Sequence, residues 1–228
     1  MNSRLSQEKS FAVYLVSPSI LVLLITTTFP ILYLIWSSFQ NINLAMPLKD
    51  GFAGLENYVE MFKDKQYWKS FRLTIIYTIS TVSLQLLIGL GLALLVLRIP
   101  KAQWLFRLLA ILPIVLAPVV VGLFWKTLML TPDFGIIDFF TQSIGLGSYA
   151  WLSEPKLAVF SVILIHTWQW TPFSFLVLLA SLASLPSDLF EAAKIDKASA
   201  FKRFFYITLP LIRPAIVIVV IMRSMIAL

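Results

Sequence analysis

Residues Leu185–Pro214, LPSDLFEAAKIDKASAFKRFFYITLPLIRP, are the longest polar interruption late in an otherwise apolar chain. Asp188, Glu191, Lys194, Asp196, Lys197, Lys202, Arg203 and Arg213 all fall within them. The first half reads as a short helix. Pro186 stops the preceding segment, Asp188 is placed to cap, and Glu191 three residues later suits a capping box. Ala192 and Ala193 leave a helix face small enough for close approach of a partner backbone. A second helical piece is predicted over 199–208, with Phe201, Phe204 and Phe205 at helical spacing. Pro210 and Pro214 then punctuate the return to apolar sequence.

The apolar runs around this loop set the class. The chain is 59% hydrophobic with mean hydropathy +0.89, and only 13% of its residues are charged. Soluble chains average about 25% charged residues. Spans of about 20 residues each fit several times into this length. With no cysteine there are no disulfides and no thiolate metal sites. The net charge of +7 comes from basic residues in short loops, so it reports membrane topology rather than affinity for nucleic acid.

The expected fold is an all-α polytopic membrane protein with spans at 11–39, 71–97, 104–130, 157–185 and 211–228. Met1–Ser10 is a polar lead. The uncharged run of 29 residues after it is too long for a signal peptide, so it reads as a retained span, tilted or kinked near Pro30. A polar loop follows, with turn signals at Pro47, Asp50-Gly51 and Gly54. Gly89 and Ala93, four apart, permit a close helix approach. Pro113 and Pro118 interrupt the third span, and such breaks survive in a membrane only where protein or a wet cavity satisfies the freed backbone groups. With the N-terminus inside, the cytoplasmic segments carry 10 Lys/Arg against 7 outside, which agrees with the positive-inside rule.

Phosphate-cradling GxxxxGK[ST] is absent, so this chain is not itself an ATPase, and no enzyme is read from it. A single histidine, His166, makes neither a triad nor a metal site. On an apolar span such a histidine is more often a structural hydrogen-bonding group. His166 does stand among the most polar intramembrane residues, with Trp168, Gln169 and Trp170. Aromatic faces and an amide suit sugar rings, although tryptophans also pack between helices. Trp168 and Trp170 point about 200° apart on a helix, so they cannot share one cavity. Gln169 is the stronger candidate, because a buried amide without a partner is costly.

Glu191-Ala192-Ala193, Asp196, Ala198, Phe204, Ile207 and Leu209-Pro210 resemble the EAA loop of permease subunits in bacterial ABC importers, in the form typical of the carbohydrate and glycerol-phosphate branch. Gly54-Leu55-Glu56-Asn57-Tyr58, then Phe134-Gly135-Ile136-Ile137-Asp138 and Trp151, resemble the same family's loops. The resemblance implies type I importer architecture, with a cytoplasmic loop at 186–210 docking on an ATPase through Glu191, Ala192, Ala193, Ile195, Asp196, Lys197 and Ala198. It also implies a second homologous permease subunit, two ATP-binding subunits that hold the ATP, and an extracytoplasmic solute-binding protein. The setting would be the bacterial inner membrane and its lipid, with no cofactor or metal in this chain. The family has a sixth helix, so a further span is expected beyond Leu228. Lys197 departs from the pattern, which has glycine there. If that turn needs positive φ, lysine costs about 1 kcal/mol relative to glycine. The solute expected is a sugar or polyol. A polyamine or phosphorylated-polyol importer remains open, as does a membrane scaffold without a solute.

Overall fold

The computed structural model describes residues 2–42, 51–99 and 103–228, with residues 2–12 as backbone only. Pro47, Asp50 and Lys101, read above as turn and loop residues, lie outside the described residues. The chain divides into two compact units, residues 1–71 and 72–228.

In the first unit, α1 (Asn2–Ser38) runs as a helix through Pro18 and Pro30. No break appears at Pro30. Its exit is fixed by the first family-like stretch. β1 (Gln40–Asn41) pairs antiparallel with β2 (Gly51–Phe52), and Gly54 takes φ +58°. The Asn57 amide donates to the carbonyls of Ser38 and Gln40, both at 3.0 Å, and Ser38 Oγ lies 2.6 Å from the Tyr58 hydroxyl. The Gly54–Tyr58 stretch thus ties α2 (Glu56–Lys63) to the end of α1. Asp64 ends α2, and α3 (Lys65–Leu97) starts six residues before the expected span.

The second unit is built on α3, α7 (Pro155–Ala183) and α11 (Arg213–Ala227). Ala93, Val96, Phe175, Leu178, Leu182, Ile212 and Val219 form its main core. The small residues of α3 do what their spacing suggests. A Cβ on Gly89 would lie 2.8 Å from Ser174 Cβ and 2.9 Å from the Phe175 backbone nitrogen, while Gly91 faces open space.

The third expected span, 104–130, is interrupted as its prolines suggest. It consists of α4 (Gln103–Val115) and α5 (Pro118–Phe124) with a π-helical turn, Trp125–Met129. The two halves meet at 97°. Pro118 forces the residue before it out of helical geometry, and Ala117 duly adopts φ −60°, ψ 139°. Thirteen residues of α4 reach only about 20 Å, short of a ~30 Å hydrocarbon core. A second bend, of 62°, separates α11 from the helical run 200–211 before it. That run comprises α9 (Ala200–Arg203), a π-helical turn (Phe204–Thr208) and α10 (Leu209–Leu211).

Between α5 and α7, α6 (Ile136–Ser143) anchors the polar loop 131–154. Gly135 is obligatory here, since a Cβ would meet the carbonyl oxygens of Met129 and Thr131 at 2.5 and 2.7 Å. Asp138, fully buried, accepts five hydrogen bonds. Its Oδ1 takes the Tyr149 N–H (2.9 Å) and Trp151 Nε1 (3.0 Å). Its Oδ2 takes the Asp133 N–H, the Ser148 hydroxyl and the Gln142 amide. The Tyr149 N–H first, then Ser148, Asp133 and Gln142, hold its carboxyl well below the usual carboxylate range, against the opposing effect of burial. A depressed native value stabilises the loop fully above the unfolded aspartate pKa of about 4, and that stability is lost as pH falls through the native value. Protection of the Tyr149 amide from hydrogen exchange is therefore expected to be flat from pH 8 to 5 and to fall only in stronger acid. Asp138→Asn, which sets an amide against N–H donors, is expected to lose that protection at every pH.

Candidate functional site

The loop between α7 and α11 has the two helices read from its sequence. α8 (Ser187–Ile195) begins behind Pro186, which takes the N-cap position itself. The expected Asp188–Glu191 capping box does not form: Asp188 sits in the first turn, and no side chain caps the helix. Ser199 does cap the second helix, accepting from the Lys202 N–H at 3.3 Å, and helical structure continues past the expected end at 208 to Leu211.

α8 stops through a Schellman motif. The Ala198 N–H bonds the Ala193 carbonyl at 2.9 Å, and the Lys197 N–H bonds that of Lys194 at 3.0 Å. Lys197 occupies the left-handed position with φ +53°, where glycine is normal. Lys197→Gly is expected to raise stability by about 1 kcal/mol, read as a higher midpoint in thermal unfolding of the purified protein.

The expected contact residues of this loop do not share one face. Ala193 is buried at 8% exposure, so it packs on its own chain rather than toward a partner. Ala198 is half-buried, while Glu191, Ala192, Asp196 and Lys197 are exposed. Leu189 (44% exposed), Ala192 and Ile195 (80%) follow one another at three-residue spacing. They form a short apolar stripe outside the spans.

The polar residues of α7 separate into three environments. Trp168 packs against Phe124 and Trp125, with ring centroids 6.4 and 5.6 Å away. It also borders a cleft of about 340 Å³ between α3, α4 and α7, together with Pro113, Thr167 and Thr171. Gln169 Nε2 reaches the Leu116 carbonyl at 3.5 Å, a long bond to a group that the α4–α5 break leaves free. The break is thus served by neighbouring protein. Trp170 lies on another face, with the Arg223 guanidinium 4.3 Å over its ring. The two tryptophans diverge as the helical geometry requires.

His166 joins this third environment, which also holds residues that sequence reading had not singled out as a site. Arg223 is 1% exposed, and its Nε donates to Gln85 Oε1 at 2.8 Å. Gln85 Nε2 is 3.3 Å from the His166 carbonyl and 3.2 Å from His166 Nδ1, and Arg223 Nη2 is 3.4 Å from His166 Nε2. An imidazole bearing one N–H accepts at a single nitrogen, so these two donors cannot both be satisfied by the ring. The Tyr77 ring lies 5.3 Å from it. Arg223 Nη1 has no partner among the described residues. The available signal was intramembrane polarity: Gln85 and Arg223 both interrupt apolar runs.

A family model described as "binding-protein-dependent transport system inner membrane component" matches residues 85–228. The trehalose/maltose transport system permease protein MalF of Thermococcus litoralis is 31% identical over 97% of this chain and 75% of its own length. The sulfoquinovosyl glycerol transport system permease protein SmoG of Agrobacterium fabrum is 34% identical over 97% of this chain and 71% of its own. Among solved structures, a chain of a bacterial alginate ABC transporter, in complex with an alginate pentasaccharide-bound periplasmic protein, superposes with TM-score 0.74. It is 22% identical and is covered to 72%, with 95% of this chain aligned.

Proposed function

The chain belongs to the family of binding-protein-dependent transport system inner membrane components, and on that premise we propose that it carries a sugar or sugar-like solute, driven by ATP hydrolysis on separate subunits. It is an all-α ABC importer permease and not an enzyme. The observation that carries the coupling is the stripe Leu189, Ala192 and Ile195, held outside the spans by the stop at Lys197. An exposed apolar patch on a rigid short helix suits a groove on a partner. The partners are two ATP-binding subunits, which hold the ATP, a second homologous permease subunit and a solute-binding protein. The N-terminus and the α8 loop lie on the cytoplasmic side, as the distribution of Lys and Arg supports.

The sugar reading rests on relatives named for trehalose/maltose and for sulfoquinovosyl glycerol. Stimulation of ATP hydrolysis in the reconstituted complex tests it. A neutral disaccharide or a sulfonated glycoside should stimulate through the binding protein, and a polyamine should not. Stimulation by polyamine alone would move the assignment to a non-sugar importer.

For the solute path, Gln169 is the first choice, and Trp168 borders the cleft near it, while Trp170 and His166 face Arg223 on another side of α7. Gln169 lies at the broken third span, so it senses both the α4–α5 joint and the helix that leads into α8. Gln169→Ala is expected to slow uptake roughly tenfold, in line with losing a buried amide worth about 1–2 kcal/mol. Assembly and basal ATPase activity should stay normal. Wild-type uptake kinetics in a properly inserted variant would remove Gln169 from the path.

A further inference from the structure

Where α3 ends, a cleft of about 800 Å³ opens between α3, α8 and the helical run 200–208. Its lining is mixed. Leu94, Leu97, Phe190 and Phe204 share the walls with Arg98, Lys194 and Arg203. No carboxylate lines it, and no described hydrogen bond engages the charged ends of these three cations. The cleft begins at the last apolar residues of a membrane-spanning helix, which is the depth of the lipid headgroups.

From this pairing of apolar and basic lining residues we infer that the cleft binds an anionic phospholipid. The headgroup phosphate sits among Arg98, Lys194 and Arg203, and the start of an acyl chain lies along Leu94, Leu97 and Phe204. A free anion has no use for the apolar half. A carboxylate from a docking protein would need only the rim. The amphiphile alone matches both halves, and basic pockets beside membrane helices favour anionic headgroups for this reason. Because the cleft is walled by Phe190 and Lys194 of α8, a bound lipid braces the helix that bears the Leu189–Ile195 stripe. The inference goes beyond the transport reading and holds whichever solute is carried.

Native mass spectrometry of the assembled importer complex tests it, with dioleoylphosphatidylglycerol, dioleoylphosphatidylcholine or inorganic phosphate added. Phosphatidylglycerol should be retained and phosphatidylcholine lost. R98Q/R203Q should weaken phosphatidylglycerol binding roughly thirtyfold, at about fivefold per cation, while R98K/R203K keeps it. If the Gln variant fails to assemble, the wild-type complex still decides, since its preference for phosphatidylglycerol should shrink between low and high salt. Equal retention of the two lipids overturns the inference, as does unchanged binding by R98Q/R203Q. Displacement of the lipid by millimolar inorganic phosphate would assign the cleft to a free anion. Retention of phosphatidylglycerol by the permease pair without its ATP-binding subunits, and its loss once they assemble, would make the cleft a protein interface.

Discussion

Ile195→Glu is expected to abolish co-purification of the ATP-binding subunits while leaving this chain inserted in the membrane. Ile195 is 80% exposed and ends the apolar stripe of α8, so the isolated chain tolerates a carboxylate there. The assembled complex would bury that carboxylate without a partner, at a cost of several kcal/mol. Even about 3 kcal/mol corresponds to a loss of affinity of more than a hundredfold. The measurement is affinity capture of this chain followed by quantification of the ATPase and of solute uptake. If capture and uptake match wild type, α8 is not the coupling contact.

Gly89→Leu is expected to prevent stable packing of α3 against α7. At Gly89 even a bare Cβ would be 2.8 Å from Ser174 Cβ and 2.9 Å from a backbone nitrogen, which cannot rotate away. Overpacking of this kind costs about 1–3 kcal/mol when side chains can adjust. Contact with backbone places this site at or above the upper end. Gly91→Leu is the matched control, because that position faces open space and should be nearly neutral. The readout is the fraction of monodisperse protein after detergent extraction. Equal recovery of the two variants would contradict the α3–α7 contact.

Local chemistry made part of this architecture legible in the sequence. Apolar run length placed α1, α3 and α7 within a few residues at their apolar ends, and Ser199 marked the start of the second loop helix. Comparison of Lys197 with a glycine pattern pointed to the left-handed turn, and the structure has φ +53° there. Pro113 and Pro118 revealed that the third span was irregular. They could not reveal a 97° bend, because its angle depends on how both halves seat against α7. The capping box failed because Pro186 took the N-cap position, with φ already set for entry to the helix.

The buried polar clusters were harder to read, since their partners lie far apart in the chain. Arg223 meets Gln85 across 138 positions, and Gln85 meets His166 across 81. No periodicity encodes such a meeting. Asp138 collects donors from Asp133, Gln142, Ser148, Tyr149 and Trp151, whose order follows the loop path rather than any helical or strand repeat. Trp151, given above only as part of a family-like loop sequence, proves to be one of those donors.

The most direct test of the account is solute uptake by proteoliposomes containing this chain, its partner permease, the ATP-binding subunits and the binding protein. Uptake of a neutral disaccharide or a sulfonated glycoside is expected only when ATP is enclosed on the α8 side, and to vanish when either this chain or the ATP-binding subunits are omitted. Uptake that proceeds at the same rate without ATP, or without this chain, would contradict it.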